Sequence, residues 1–437
     1  MTPATADARL LDLAPDRRLR TRLAGLFLFL PLLARLDLPQ LLARAAYPGS
    51  DRIPATSALL SLLALKLVDK ERRSHTDDLN CDEAAGLFAG LNVLPKKSFL
   101  TEYSYRTSRD NQWVLLRGWV AGLAALLFPQ AEAFSLDFHP IPHRGEDPPL
   151  ERQYVSLQGR ARPSVLAYFA LEHGSRVLCY ANANLTRAEQ AAETSRFVEF
   201  WREATGRQPR WLYFDSRVTT YEELNRLNQR GVRFITIRRR GRGLLRRLHA
   251  VPAELWHGAV ISTPKRCHQR VRYVDEWVRL RGYPGPVRQV AVDGLGNREP
   301  TLLLSNDTTQ TPRPLLLRYA GRNRVEDGLG SCVDFFHLDC LSSVVRLNAD
   351  LDAVTTVLAQ GCYRWLGSRL KGYEKLRPKQ LYRKFVETGG LVEVDEGRMV
   401  VTLDRRYHNA ALREAALDRE GTPVPWLRQF PIIFNYS

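Results

Sequence analysis

Between Ala131 and Arg238 the hydrophobic period changes from segment to segment, and this alternation leaves few architectures open. AFSLDFH (133–139) reads as a strand and is followed by a Pro-rich loop, IPHRGEDPP. SVLAYFALE (164–172) and RVLCYANA (176–183) flank HGS and read as a hairpin. A helix is expected from about Thr186 to Ala204, with Phe197, Phe200 and Trp201 on one side and Gly206 just past its end. RWLYFDS (210–216) is a strand. TTYEELNRLNQRG is a helix with a capping box from Thr219 to Glu222 and a terminal Gly231, and VRFITIR (232–238) is another strand. Three strands, then helices alternating with strands, describe an α/β fold: a mixed sheet with helices on its faces.

Two acids stand out within that pattern. Asp137 falls near the end of the first strand and Asp215 at the end of the fourth. If those strands are neighbours, the carboxylates converge at one sheet edge, where α/β folds place their sites. A third acid comes from PLLLRYAGRNRVEDGLGSCV (314–333), read as one helix carrying Tyr319, Arg322 and Glu326. At 3.6 residues per turn these three share a face, presenting a phenol, a guanidinium and a carboxylate. A solvated charged face is the plainer reading of that helix alone. Together, two strand-end aspartates and a helix glutamate suit two divalent metal ions acting on a phosphodiester, and oxygen-only ligands select Mg²⁺ or Mn²⁺. A neighbouring guanidinium grips phosphate with paired hydrogen bonds. Asp307, at the end of the strand TLLLSND (301–307), is a rival third acid without phosphate-binding neighbours. His139 and His143 raise a zinc hydrolase, but Pro140 and Pro142 keep them off a regular helix and no second histidine cluster completes a ligand set.

The flanks are organised differently. Residues 1–130 read as helical, with apolar residues at helical spacing in LFLFLPLLARLDLPQLLARA, SALLSLLALKLVDK and CDEAAGLFAGL. Lys96, Lys97, Arg106 and Arg109 beside a Leu-Pro break suit a DNA-docking helical domain, although a helical bundle with a solvated face fits equally well. Residues from about 239 to 300 interrupt the core with short alternating runs read as extra strands. This insertion opens on six arginines between Arg238 and Arg247, among them Arg239, Arg240 and Arg242, expected to form a phosphate-tracking loop. Trp256 and Trp277 within it are either base-stacking platforms or core residues. The division is therefore 1–130, 131–345 and a C-terminal α/β region at 346–437, with a helix near 349–371 and a hairpin at LVEVDEGRMVVTLD.

Charge narrows the partner. The 437 residues hold 64 Lys+Arg against 47 Asp+Glu, a net +17 that suits a polyanion, nucleic acid before membrane. Six scattered cysteines without a C-x-x-C pair argue against a zinc ribbon or disulfide framework and for a reducing compartment. The longest apolar run, at 23–34, is too short to span a bilayer and contains a proline; acidic residues precede it, unlike a signal peptide. A cytoplasmic protein is expected.

These segments resemble a known family. SLDFH, WLYFDSRVTTYEELNRLNQRGVRFITIRRR and YAGRNRVE are similar to the first-acid strand, second-acid segment and signature helix of the DDE transposases of bacterial insertion sequences, in the branch marked by tyrosine, arginine and glutamate. The likeness extends over roughly residues 55–345 and includes the β-rich insertion and GLNVLPKKSFLTEYSYR. It implies a ribonuclease-H-like catalytic core that cuts element ends with two metal ions and joins the freed 3′-OH to target DNA. Asp137, Asp215 and Glu326 would hold the metals, and Tyr319 and Arg322 would contact phosphates. A DNA-assembled homodimer is implied, since two ends are joined. The family's frequent lysine seven residues after the glutamate is Val333 here, leaving its role vacant or met by another residue such as Arg324. The residue after the second aspartate is Ser216 rather than the frequent arginine, with Arg217 next. A catalytically retired DNA-binding protein and a metal-dependent nuclease of the same fold are the alternatives.

Overall fold

The computed structural model describes residues 11, 13, 17–79, 82–142, 152–155, 159–183, 185–186, 188–263, 266–340, 346–395, 397–419 and 421–436; His143 lies outside them. The chain is a mixed α/β structure with two sheets. The first element among the described residues is a short strand, β1 (Arg18–Thr21), which the helical reading of the N-terminal part does not contain. Helices then follow, among them Leu30–Arg35, Leu38–Arg44, Ala55–Leu67 and Arg109–Leu127. The main sheet is built from β2 (Ala133–Pro142), β3 (Arg152–Val155), β4 (Arg160–Glu172), β5 (Leu178–Asn182), β6 (Trp211–Phe214), β7 (Arg233–Ile237), β8 (His257–Thr263), β9 (Arg266–Leu280), β10 (Tyr283–Asp293) and β11 (Thr301–Ser305). The second sheet uses β1 with β12 (Gly390–Asp395), β13 (Arg398–Leu403), β14 (Pro423–Val424) and β15 (Phe430–Tyr436).

At the centre of the main sheet the order is β5-β4-β2-β6-β7, and β11-β10-β9-β8 continues it beyond β7. β2, β6 and β7 run parallel, whereas β4 is antiparallel to β2 and β11 to β7. The parallel strands are short apolar runs because both their faces are covered. On one face lie Phe134, Leu136, Leu212, Phe214 and Phe234. The helix Glu193–Thr205 covers Phe134, with Phe197 and Trp201 at 5.2 and 4.5 Å between ring centroids. Side chains at odd positions, including Ser135, Asp137, Trp211, Tyr213 and Ile235, point to the opposite face, since strand neighbours alternate.

Local chemistry moves several expected boundaries. The Glu193–Thr205 helix begins later than Thr186, after a single 3-10 turn at Gln190–Ala192. Thr220, not Thr219, caps the helix Tyr221–Gln229, its hydroxyl accepting from the Glu223 amide. The arginine-rich stretch is not a loop throughout: Arg242–His249 is a helix that places Leu248 in a small core with Ala291 and Leu302. In the insertion, β9 and β10 form one long hairpin, registered from Tyr283↔Leu280 to Asp293↔Arg272. Trp256 is half-buried under the Arg272 guanidinium, 5.6 Å away, while Trp277 is 54% exposed and so is no core residue.

The N-terminal helices are tied to the C-terminal part by buried polar links. β1 pairs antiparallel with β12, and Lys66 Nζ donates to the Phe336 carbonyl (2.7 Å) and to Asp352 (2.9 Å). Arg109 was a candidate DNA contact; instead it meets the fully buried Asp350 at 2.9 Å and stacks on Trp113. Asp350 also accepts from the Ala183 amide, so one carboxylate joins the helix Arg346–Arg369, the helix Arg109–Leu127 and the end of β5. Lys97 pairs with Asp77, whereas Lys96 and Arg106 are exposed. Among the described residues no single helix is long and apolar enough to cross a membrane; the pair at 24–44 is bent by 56° and largely buried in the core. Removing one partner of a buried ion pair strands the other. Asp350→Ala is accordingly expected to lower unfolding stability by about 3–5 kcal/mol, read from a urea titration followed by tryptophan fluorescence.

Candidate active site

The pairing of β2 with β6 decides where the first two acids stand. The strands are parallel and in register from Ala133↔Trp211 to Leu136↔Phe214. Asp137 and Asp215 are each the next residue, so they leave the pair level with one another, on adjacent strands about 4.8 Å apart. Both continue the odd-numbered face, after Ser135 and Tyr213. Asp307 lies elsewhere. β11 runs antiparallel to β7, so its end returns to the opposite edge, where Arg233 approaches Asp307 at 3.7 Å. There the Asp307 carboxylate is buried and accepts from Thr309 and Gln310, capping the turn into the next helix.

That next element is two helices rather than the single one expected over 314–333. Pro312–Ala320 and Asn323–Phe336 are separated by Gly321 and Arg322, where i→i+3 bonds replace the α-helical ladder: Arg322 to Tyr319 at 2.9 Å and Val325 to Arg322 at 3.0 Å. The break follows from where each half buries its apolar residues. Leu315 and Leu316 pack with Trp211, Tyr213 and Ile235, whereas Val325, Leu329, Cys332, Phe335 and Phe336 enter the main core. Gly321 lets the His173 ring lie against this break; a Cβ there would meet His173 Cε1 at 2.6 Å. His173 is half-buried, near Ser135 Oγ (3.3 Å) and edge-on to Tyr213. Burial, then Arg324, Arg318 and Arg176, push its pKa down to about 4, so it is neutral at ordinary pH.

The interrupted helix still brings Tyr319, Arg322 and Glu326 to the two aspartates. Arg322 reaches both Asp137 Oδ2 at 3.4 Å and Glu326 Oε1 at 2.5 Å. Its side chain is 12% exposed and its ring of neighbours is largely anionic. Burial works against the Arg322 charge, but Tyr319, Asp137, Glu326 and Asp215 outweigh it and raise its pKa. Asp137 moves the other way from a typical ion-paired acid: burial carries its pKa up to about 6 despite Arg322, with Glu326 and Asp215 adding to the rise. Three carboxylates thus face one guanidinium, and negative charge is left over. The Phe138 amide donates to Asp137 and the Ser216 amide to Asp215, fixing one oxygen of each acid.

Two donors at this place lack partners. The Tyr319 hydroxyl and Arg322 Nε are buried without a partner of hydrogen-bond geometry among the described residues. Burial raises the Tyr319 pKa, so the phenol keeps its proton. The chemistry of the site is therefore a surplus of carboxylate oxygen beside unmet N–H and O–H donors. The first suits a hard divalent cation and the second a phosphate oxygen. Among the described residues no three of His, Cys, Asp and Glu are gathered closely enough to hold one ion. Between Asp137 and Glu326 stands the Arg322 guanidinium.

The remaining sequence candidates divide. Arg238 donates to Gln289 (2.6 Å) and Arg240 to the Glu299 carbonyl (3.0 Å), so both brace the insertion. Arg239 and Arg242 are exposed, and the cluster leaves the sheet at the C-terminal end of β7, the same end as Asp137 and Asp215. Arg217 is exposed beyond Asp215. Val333 packs against the main core, so no cation stands at that helix position. His139, two residues after Asp137 on the same face, lies 2.6 Å from Asp339, a carboxylate the sequence pattern did not single out. Asp339 falls just after the helix Asn323–Phe336 and carries no spacing signal. His173 was legible only as part of a hairpin turn.

No family model matches the chain, and no curated protein does so either.

The raised Asp137 pKa has a thermodynamic sign. Below the ordinary value of 3.8 the folded and unfolded chains both hold this proton; up to about 6 only the folded chain does. Stability contributed by the carboxyl therefore falls across that window and stays low above it. In metal-free buffer Asp137→Asn is expected to be more stable than the parent at neutral pH by about 1–2 kcal/mol, after allowance for partial solvent screening. The difference should vanish towards about pH 4, as read from melting temperatures over a pH series.

Proposed function

We propose that the chain is a DDE-type DNA transposase, cleaving phosphodiester bonds at the ends of an insertion element and transferring the 3′-OH strand to target DNA. The observation that carries this reading is the β2–β6 register. It brings Asp137 and Asp215 level on one face, with Arg322 linking Asp137 to Glu326 of the interrupted helix. The order β5-β4-β2-β6-β7, with β4 alone antiparallel to β2, supports reading this part as a ribonuclease-H-like core. A net charge of +17 fits a DNA partner.

In this reading Asp137, Asp215 and Glu326 would hold two Mg²⁺ ions, for which Mn²⁺ would substitute, once the Arg322 guanidinium leaves its place between Asp137 and Glu326. Bound there, the ions supply activation of an attacking hydroxyl and charge stabilisation for the leaving oxygen. The chain's own residues do the rest. Both aspartates are only partly exposed, and the Phe138 and Ser216 amides hold one oxygen of each in place. Arg322 offers its unpartnered Nε, and Tyr319 its unpartnered hydroxyl, to the phosphate beside the scissile bond. The exposed Arg239 and Arg242 track the DNA backbone on the same side of the sheet. Two ends held for joining call for a homodimer assembled on DNA.

One observation favours a second reading. Arg322 already spans Asp137 and Glu326, so a guanidinium neutralises two of the acids. A DNA-binding protein that has lost catalysis would keep that bridge permanently. The test is incubation of the full chain with DNA carrying the element's own ends, with and without Mg²⁺. Magnesium-dependent cutting and joining are expected, and Glu326→Gln should keep DNA binding while cleavage falls by about 10³-fold or more. Cutting without joining would identify a nuclease, and tight binding with no cutting in either metal the retired binder. Unchanged cleavage by Glu326→Gln would remove Glu326 as the third acid.

A further inference from the structure

On the far side of the Asn323–Phe336 helix from Glu326 lies an open cleft of about 360 Å³ that the acid site does not use. Arg324 and Glu326 are two residues apart, about 200° around the helix, so one helix separates the two features. The cleft is closed by the β4–β5 turn, by the helix Arg346–Arg369 and by the loop that follows it. Arg176, Arg324, Arg364 and Lys375 line it.

Four cations face one lining carboxylate, Glu374, so positive charge is in excess. Arg324 and Arg364 each bury an Nε with no hydrogen-bond partner among the described residues. Arg324 is held in place, its Nη1 donating to the His173 carbonyl at 2.7 Å. The carboxylates nearby make their hydrogen bonds to turns and none to these guanidiniums: Glu172 accepts from the amides of Gly174 and Ser175 and from the Ser175 hydroxyl, and Glu374 accepts from the Gly372 amide; Glu172 still offsets part of the Arg324 charge. Burial, and then Arg176, lower the pKa of both Arg324 and Arg364, the latter to about 10. Guanidiniums therefore repel one another here, and buried charge without a partner is costly. Arg176 adds a further sign: its φ of 61° is left-handed, a conformation that favours glycine, yet an arginine occupies it. Gln360 fixes that turn, donating to the Arg176 carbonyl and accepting from the Leu178 amide.

We propose that this cleft is a phosphate site, in which Arg324 and Arg364, with Arg176 and Lys375 at the rim, clamp one backbone phosphate of the DNA whose scissile bond lies at the Asp137–Asp215–Glu326 site. The proposal rests on the reading given under Proposed function. The clamp would act as a positioning device: the helix bearing Glu326 is gripped by substrate on its other side, on the order of 10 Å away.

The experiment uses the full chain and a fluorescently labelled DNA duplex of random sequence, titrated by anisotropy over a series of KCl concentrations. Neutralising one phosphate contributes about 0.9 to the log–log salt slope. Arg324→Gln and Arg364→Gln are each expected to lower the slope by about one unit, and the double variant by no more than either, because they share one phosphate. Arg364→Lys keeps the charge and should keep the slope. Melting temperatures supply a second readout. Without phosphate, Arg364→Gln should melt higher than the parent, since repulsion is relieved; a purely structural arginine would give the opposite. Inorganic phosphate should raise the parent's melting temperature above that in chloride of equal ionic strength, and should not raise that of Arg364→Gln. Folded glutamine variants with an unchanged slope overturn the proposal. So does a phosphate-dependent shift with an unchanged slope, which would make the cleft a free-anion site. A parent that cuts DNA while its variants keep the slope overturns only this site; a parent that neither binds nor cuts DNA overturns the reading beneath it.

Discussion

The parallel pairing of β2 with β6 is the constraint on which the rest of the site depends. A parallel pair needs a crossover between its strands, and residues 143–210 supply it through the β3–β5 meander and the helix Glu193–Thr205. A shift of one residue in register would send one aspartate to the opposite face, into the aromatic packing of Phe134, Phe197 and Trp201. That apolar face is what holds the register. The proposed chemistry is therefore positioned by hydrophobic burial on the side of the sheet where no chemistry occurs.

The second constraint is the break at Gly321 and Arg322. The helix before it packs on the Trp211–Tyr213–Ile235 cluster and the helix after it on the main core, and the His173 ring lies against Gly321. Arg322, at the break, is thereby fixed among Asp137, Glu326 and Tyr319. Its charge is sustained by the acids, while burial holds Asp137 closer to neutrality than an exposed aspartate. An arginine between carboxylates is a stable resting arrangement that still leaves its Nε without a partner among the described residues. The same helix faces arginines on its other side, so acids and cations are segregated across a single element.

The position of the arginines shows how little charge counts by itself. Arg109 and Arg238 are as basic as Arg239 and Arg242 in the sequence, yet the first two are consumed by Asp350 and Gln289. Arg324 and Arg364 stand 40 residues apart and share a cleft, with no pattern linking them. What distinguishes a structural arginine from an available one is the presence of a carboxylate or carbonyl in reach, and that is a tertiary property.

Much of the frame was nevertheless legible from local pattern. The strands around Asp137 and Asp215, the hairpin at 164–183, the helix ending before Gly231 and the C-terminal hairpin follow from period, turn residues and burial of alternating side chains. Each depends on contacts within a few residues. The sequence also singled out Asp137, Asp215, Glu326, Tyr319 and Arg322 as a group, because their spacing within elements is local information. Folding alone decided that β2 and β6 are neighbours, that Asp307 belongs to the far edge, that the segment 314–333 is split between two helices, and that His173, Asp339 and Arg364 stand where they do. Those facts arise from which apolar surfaces find one another across tens to hundreds of residues, and no local period encodes that choice.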